Sequence, residues 1–136
     1  MRYGRVVYML GRAIITLGCS LLLPLITAWC YPQEGQASLF AVLLPAYILL
    51  GQVLCHLSHP WRKEPLRQRD SYLLVSLAWV IASLLGSVPY LLSGCFTDFA
   101  SAVFESASGF STTGASAIVD IEAQGHALLL WRSLTH

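Results

Sequence analysis

The chain carries seven acidic side chains, eight basic ones and four histidines, and the first question is which of them are spaced to do chemistry. Asp98, Glu105, Asp120 and Glu122 gather toward the C-terminal end, where a carboxylate pair would suit acid–base work. No nucleophile–base arrangement or metal-ligand set accompanies them, so no enzyme is expected. His56 and His59 can share a helix face, but no third metal ligand is nearby. Cys19, Cys30, Cys55 and Cys95 form no C-x-x-C pair. Cys30 and Cys95 fall near one face of the molecule, where a disulfide is conceivable in an oxidising compartment; small buried apolar residues are the plainer reading.

The remaining chemistry lies in residues 104–118, FESASGFSTTGASAI. Small side chains and hydroxyls dominate it, with glycines at 109 and 114. Backbone carbonyl oxygens along such an extended segment can replace the water shell of a dehydrated cation. Small side chains let the backbone approach an axis, and Gly114 permits dihedrals that a residue with Cβ resists. Thr112 and Thr113 have hydroxyls that can bond to surrounding protein. The same residue types also cluster where membrane helices pack closely, so a helix seam or a plain external loop stays open from composition alone.

Which elements would position this segment follows from the rest of the chain. Its 136 residues are 56% hydrophobic and 11% charged, with a mean hydropathy of +0.64; soluble domains are about 45–50% apolar and about 25% charged. Too few charges are present to cover a water-facing surface. Uncharged runs at 13–29, 37–57 and 71–94 each reach the length that crosses a hydrocarbon core as a helix. The first extends back to Val6 if Arg12 snorkels to the headgroups. It is longer than a signal-peptide core and lacks a clean cleavage pattern, so the helix is expected to stay. Pro24, Pro45 and Pro89 are expected to kink or loosen these spans.

Seven of the eight basic residues (Arg2, Arg5, Arg12, Arg62, Lys63, Arg67 and Arg69) lie at the N-terminus or in the 58–70 loop. The positive-inside rule then places both inside and residues 95–125 outside. Phe99, Val103, Phe104, Ala107 and Phe110 recur at helical spacing. Thr97 or Asp98 would cap this helix and Gly109 would follow its last turn. A helix over about 98–108 covers roughly half a bilayer and carries Glu105 in its middle. With both ends outside, it reads as a re-entrant helix dipping in, followed by a strand over 111–116 climbing out. Its C-terminal partial negative charge would favour a cation near the membrane centre.

F-E-S-A-S-G-F-S-T-T-G-A-S, then H-A-L-L-L-W-R-S-L-T-H after a short loop, resembles the first pore region of the Trk/Ktr/HKT potassium transporter family, in particular its TrkH/TrkG-type membrane subunits. Residues 69–94 resemble the outer helix of that repeat, and residues 1–57 the extra helix pair ahead of it. The resemblance implies an all-α integral membrane protein. It would have three transmembrane helices, a re-entrant pore helix plus filter strand, and the start of a fourth span from about residue 127. The chain divides accordingly into a helix pair at 1–57, a basic cytoplasmic loop at 58–70 and a first pore repeat at 71–136.

The resemblance further implies potassium as the transported ion, held by the backbone carbonyls of Thr112, Thr113, Gly114 and Ala115, with no covalently bound cofactor. Glycine at 114 resembles the potassium-selective members, serine there some sodium-associated plant relatives. Glu105, Gly109 and Ser111 are expected to support the filter structurally. Implied partners are membrane lipid, three further repeats, a second copy in a homodimer and a TrkA-like cytoplasmic nucleotide-binding regulatory subunit, with no nucleic acid. The implied location is the inner or plasma membrane with the N-terminus cytoplasmic. One repeat cannot encircle an ion, so an N-terminal fragment inactive alone is expected. Arg132 is expected to anchor at the interface or to pair with a group beyond residue 136. The reading from a different class is a membrane anchor or assembly module with an external polar loop and no ion site.

Overall fold

The computed structural model describes residues 3–62 and 65–136. Arg2 and Lys63, two of the basic residues counted for orientation, lie outside the described residues, as do Met1 and Glu64. The described residues form helices joined by turns, with no strand among them. Among the described residues three helical stretches are long and apolar enough to cross a membrane: Tyr3–Cys30, Ala37–Leu57 and Gln68–Leu92. This is the expected all-α, multi-pass membrane architecture.

The first span is two helices, α1 (Tyr3–Ser20) and α2 (Leu22–Cys30), broken at Leu21. Pro24 causes the break: its ring excludes the carbonyl four residues back, at Ser20, and it has no N–H to donate. The Leu21 N–H turns instead to the Gly18 carbonyl at 3.1 Å. Pro45 and Pro89 leave α3 (Ala37–Leu57) and α4 (Gln68–Leu92) continuous. Pro89 frees the Leu85 carbonyl and loosens the one after it. Tyr47 Oη donates to Leu85 O at 2.6 Å and Trp131 Nε1 to Gly86 O at 3.2 Å. Neighbouring helices thus re-satisfy the backbone that the proline disturbs.

Gly4, Gly11 and Gly18 recur every seven residues, so glycine returns to one face of α1 every second turn. That face lies on α3 and the turn after it. A Cβ on Gly11 would sit 2.8 Å from Gly51 O, and one on Gly51 would sit 2.6 Å from Gly11 O. The two backbones touch, as small-residue seams allow in membranes. Trp61 covers Gly4, so the N-terminus and the 59–61 turn share one end of the molecule.

From the other end, α5 (Phe99–Phe110) runs back beside α4, with Ser106 and Phe110 lying against Gly86. Phe110 borders a shallow cleft with Val75, Ala78, Trp79 and Ala82 of α4. Helix α6 (His126–Thr135) starts beside Glu34 and Gln36 and ends beside Gly109. Phe40, Tyr47, Tyr90, Leu128 and Trp131 are buried between these elements.

A candidate ion-binding loop anchored on a buried carboxylate

Asp98 begins α5, accepting hydrogen bonds from the Ser101 N–H at 3.0 Å and the Ser101 hydroxyl at 3.1 Å. These bonds, the backbone one foremost, hold its carboxyl below the usual range. The helical period that marks this segment picks out its phenylalanines, yet the buried face is the opposite one. Phe99 and Phe104 are 58% and 51% exposed, while Ala102, Glu105, Ser106, Ser108 and Gly109 are buried. Small side chains let α5 approach its neighbours closely, as they do at membrane helix seams.

The helix ends at Phe110, two residues beyond the expected stop near Ser108. Gly109 is not the residue that ends it. The Thr113 N–H bonds to Ser108 O and the Thr112 N–H to Gly109 O, each at 2.9 Å, and Thr112 takes φ 55°. That is a Schellman C-cap with threonine where glycine is usual. A β-branched residue in this region is strained by about 1–2 kcal/mol. Gly109 serves packing instead: a Cβ there would lie 2.7 Å from His136 Cδ2 and 3.1 Å from Thr135 O.

Past the cap the chain runs back along α5. The Ser108 hydroxyl donates to Ala115 O at 2.6 Å, and the Ser111 and Thr113 hydroxyls bond each other at 2.7 Å. Gly114 has φ 74°, a left-handed conformation that favours glycine. The Ser116 hydroxyl reaches both oxygens of Glu105 at 3.0 Å, and the Ala117 N–H donates to Oε2 at 2.8 Å.

Glu105 is fully buried, and Arg132 of α6 donates to its Oε1 through Nε at 2.9 Å. His136 Nε2 lies 3.6 Å from the same oxygen. A buried carboxylate persists only with a counter-charge and donors for its remaining lone pairs, and here Arg132 from α6 and Ser116 and Ala117 from the return segment supply them. Arg132 thus has a partner within the chain, 27 residues earlier.

The four expected ion-facing residues, Thr112 to Ala115, are consecutive, non-helical and exposed. Among the described residues the carbonyls of Thr112, Thr113 and Gly114 accept no hydrogen bond, while that of Ala115 holds the Ser108 hydroxyl. Ser108, Ser116 and Arg132 were absent from the expected support set of Glu105, Gly109 and Ser111. All four cysteines are free, Cys30 and Cys95 included.

Residues 39–136 match the family model described as TrkH, cation transport protein. The chain belongs to the TrkH cation transport protein family. TrkH proteins are membrane transporters, not enzymes. A Trk system potassium uptake protein TrkH of Halomonas elongata is 31% identical over 97% of this chain, and that of Escherichia coli K12 is 29% identical over 98%. The crystal structure of the potassium transporter TrkH from Vibrio parahaemolyticus superposes with a TM-score of 0.88 at 26% identity, covering 99% of this chain. The chain spans only 27% of the Halomonas protein, 28% of the Escherichia protein and 29% of the Vibrio chain.

Proposed function

We propose that this chain supplies one of four filter strands of a TrkH-type potassium uptake system. Potassium is the substrate, held by the backbone carbonyls of Thr112, Thr113, Gly114 and Ala115. The observation that carries this is the contrast within one loop. Its flanks are tied down through Ser108, Ser116, Ala117 and buried Glu105, while three successive carbonyls between them have no partner among the described residues. Unpartnered carbonyls on a rigid, glycine-bearing turn suit a dehydrated cation. Glu105, Gly109 and Ser111 act as supports: the first anchors the return segment, the second admits α6, and the third bonds Thr113.

One strand contacts an ion from one side, so the chain alone is inactive and works with three further repeats. The basic residues place the N-terminus and the 58–70 loop on the cytoplasmic side of the inner or plasma membrane. A homodimer and a TrkA-like cytoplasmic nucleotide-binding regulatory subunit complete the assembly, and lipid covers the exposed apolar faces. The anchor-module reading has less support, because a free external loop has no need of a buried ion pair beneath it.

Cysteine scanning of residues 97–116, with this chain grafted in place of the matching segment of Escherichia coli TrkH and the native cysteines replaced, separates the two readings. The filter reading expects residues 104–110 to resist an impermeant thiol reagent applied from outside, and residues 112–114 to react more slowly when potassium is present. Uniform labelling across 97–116, indifferent to potassium, would sink it.

A further inference from the structure

The N-terminus of α6 is capped from a distant part of the chain. The first N–H groups of a helix have no partner within it, and Gly125, which precedes α6, has no side chain to offer them. The His126 N–H donates to Glu34 Oε2 at 2.8 Å, and the Leu128 N–H to Gln36 Oε1 at 3.2 Å, across 92 residues of sequence. The other Glu34 oxygen bonds His126 Nδ1. The Tyr31 ring stacks on the His126 imidazole with centroids 4.1 Å apart and planes 4° from parallel. A Cβ on Gly125 would collide with the Gln36 side chain, 2.6 Å from its Oε1. Two backbone caps, a side-chain hydrogen bond and a ring stack thus join the α2–α3 turn to one helix end.

We infer that Glu34 and Gln36 are positioning residues for the ion pathway: the N-terminal helix pair holds the outer end of α6 by capping it in trans. The consequence runs through α6 itself. Arg132 and His136, nearly two and nearly three turns beyond His126, reach Glu105 beneath the loop, and Trp131 reaches α4 at Gly86. Fixing the start of α6 fixes the height at which Arg132 meets Glu105, and through Glu105 the height of residues 116 and 117. This assigns the residues before α3 a part in shaping the loop, beyond spanning the membrane. The role in transport rests on the potassium reading; the cap itself does not.

The test has one arm for each. Amide hydrogen exchange at residues 126–129 is measured in the full chain in lipid nanodiscs. Glu34→Ala and Gln36→Ala should each speed exchange about fivefold, the factor typical of a lost N-cap. Glu34→Gln keeps an acceptor oxygen and should stay within about twofold of the unaltered chain. Exchange unchanged in both alanine variants overturns the cap. In the second arm this chain replaces the matching segment of Escherichia coli TrkH, and rubidium uptake is followed. Glu34→Ala should lower uptake and Glu34→Gln should restore it; faster exchange with full uptake overturns the positioning role. A chimera that moves no rubidium before any substitution counts against the potassium reading, and the exchange arm still decides the cap.

Discussion

Glu105→Gln isolates the charge at the centre of the site. The amide keeps the shape of the side chain and one acceptor oxygen for Ser116 or Ala117, but Arg132 loses its counter-charge. Removing one member of a buried pair destabilises by about 3–5 kcal/mol. Arg132 retains 22% side-chain exposure while Glu105 has none, so water still screens the orphaned guanidinium and about 2–3 kcal/mol is the expected loss. Arg132→Met should be worse, since it strands the fully buried partner. Thermal unfolding of the detergent-solubilised chain, followed by size-exclusion fluorescence, gives both values, and the double variant closes the cycle. Coupling of about 1–3 kcal/mol is expected. Effects that add to within about 0.5 kcal/mol would refute the pair as the anchor of the loop.

Gly109→Ala places a methyl against His136 and the Thr135 carbonyl, and overpacking of this kind should destabilise by about 1–3 kcal/mol in the same assay. Thr112→Gly and Gly114→Ala should shift stability in opposite directions, each by about 1 kcal/mol, because both positions have left-handed backbone; shifts of the same sign would discard the strain argument. The hydrogen bond from His126 holds the Glu34 carboxyl below its ordinary value of 4.5. A depressed folded value means that this contribution is complete above pH 4.5 and lost as pH falls through the folded value. His126 is the titratable side chain bonded to Glu34, with Tyr31 stacked on its far side, while Asp98 and Asp120 are engaged in local caps with Ser101 and Ala123. Protection of residues 126–129 should therefore fade on acidification in the unaltered chain and stay level in Glu34→Gln.

What the sequence makes legible here is what depends on neighbours along the chain. Uncharged runs marked three spans because a bilayer demands about 20 apolar residues in succession, and α3 occupies the run 37–57. Local capping chemistry likewise marked Asp98 as the start of α5. Reading Gly109 as the stop failed for a physical reason: a glycine near a helix end can serve the backbone or a neighbouring helix, and only the arrival of His136 decides which. The phenylalanine period locates α5 but not its buried face, since small residues such as Ala102, Ser106 and Gly109 make the close contacts there. The contacts Arg132–Glu105 and Glu34–His126 join residues 27 and 92 positions apart. No local pattern announces them, because they exist only once α6 lies beside α5 and α2. The seven-residue glycine spacing in α1 is a local pattern and legible in the sequence.

The central claim is that the backbone of residues 112–115 meets potassium, and its most direct test is ion selectivity at Gly114. In the Escherichia coli TrkH chimera, Gly114→Ser should reduce potassium and rubidium uptake relative to sodium while expression and membrane insertion stay unchanged. Unaltered potassium uptake and an unaltered potassium-to-sodium ratio would contradict it.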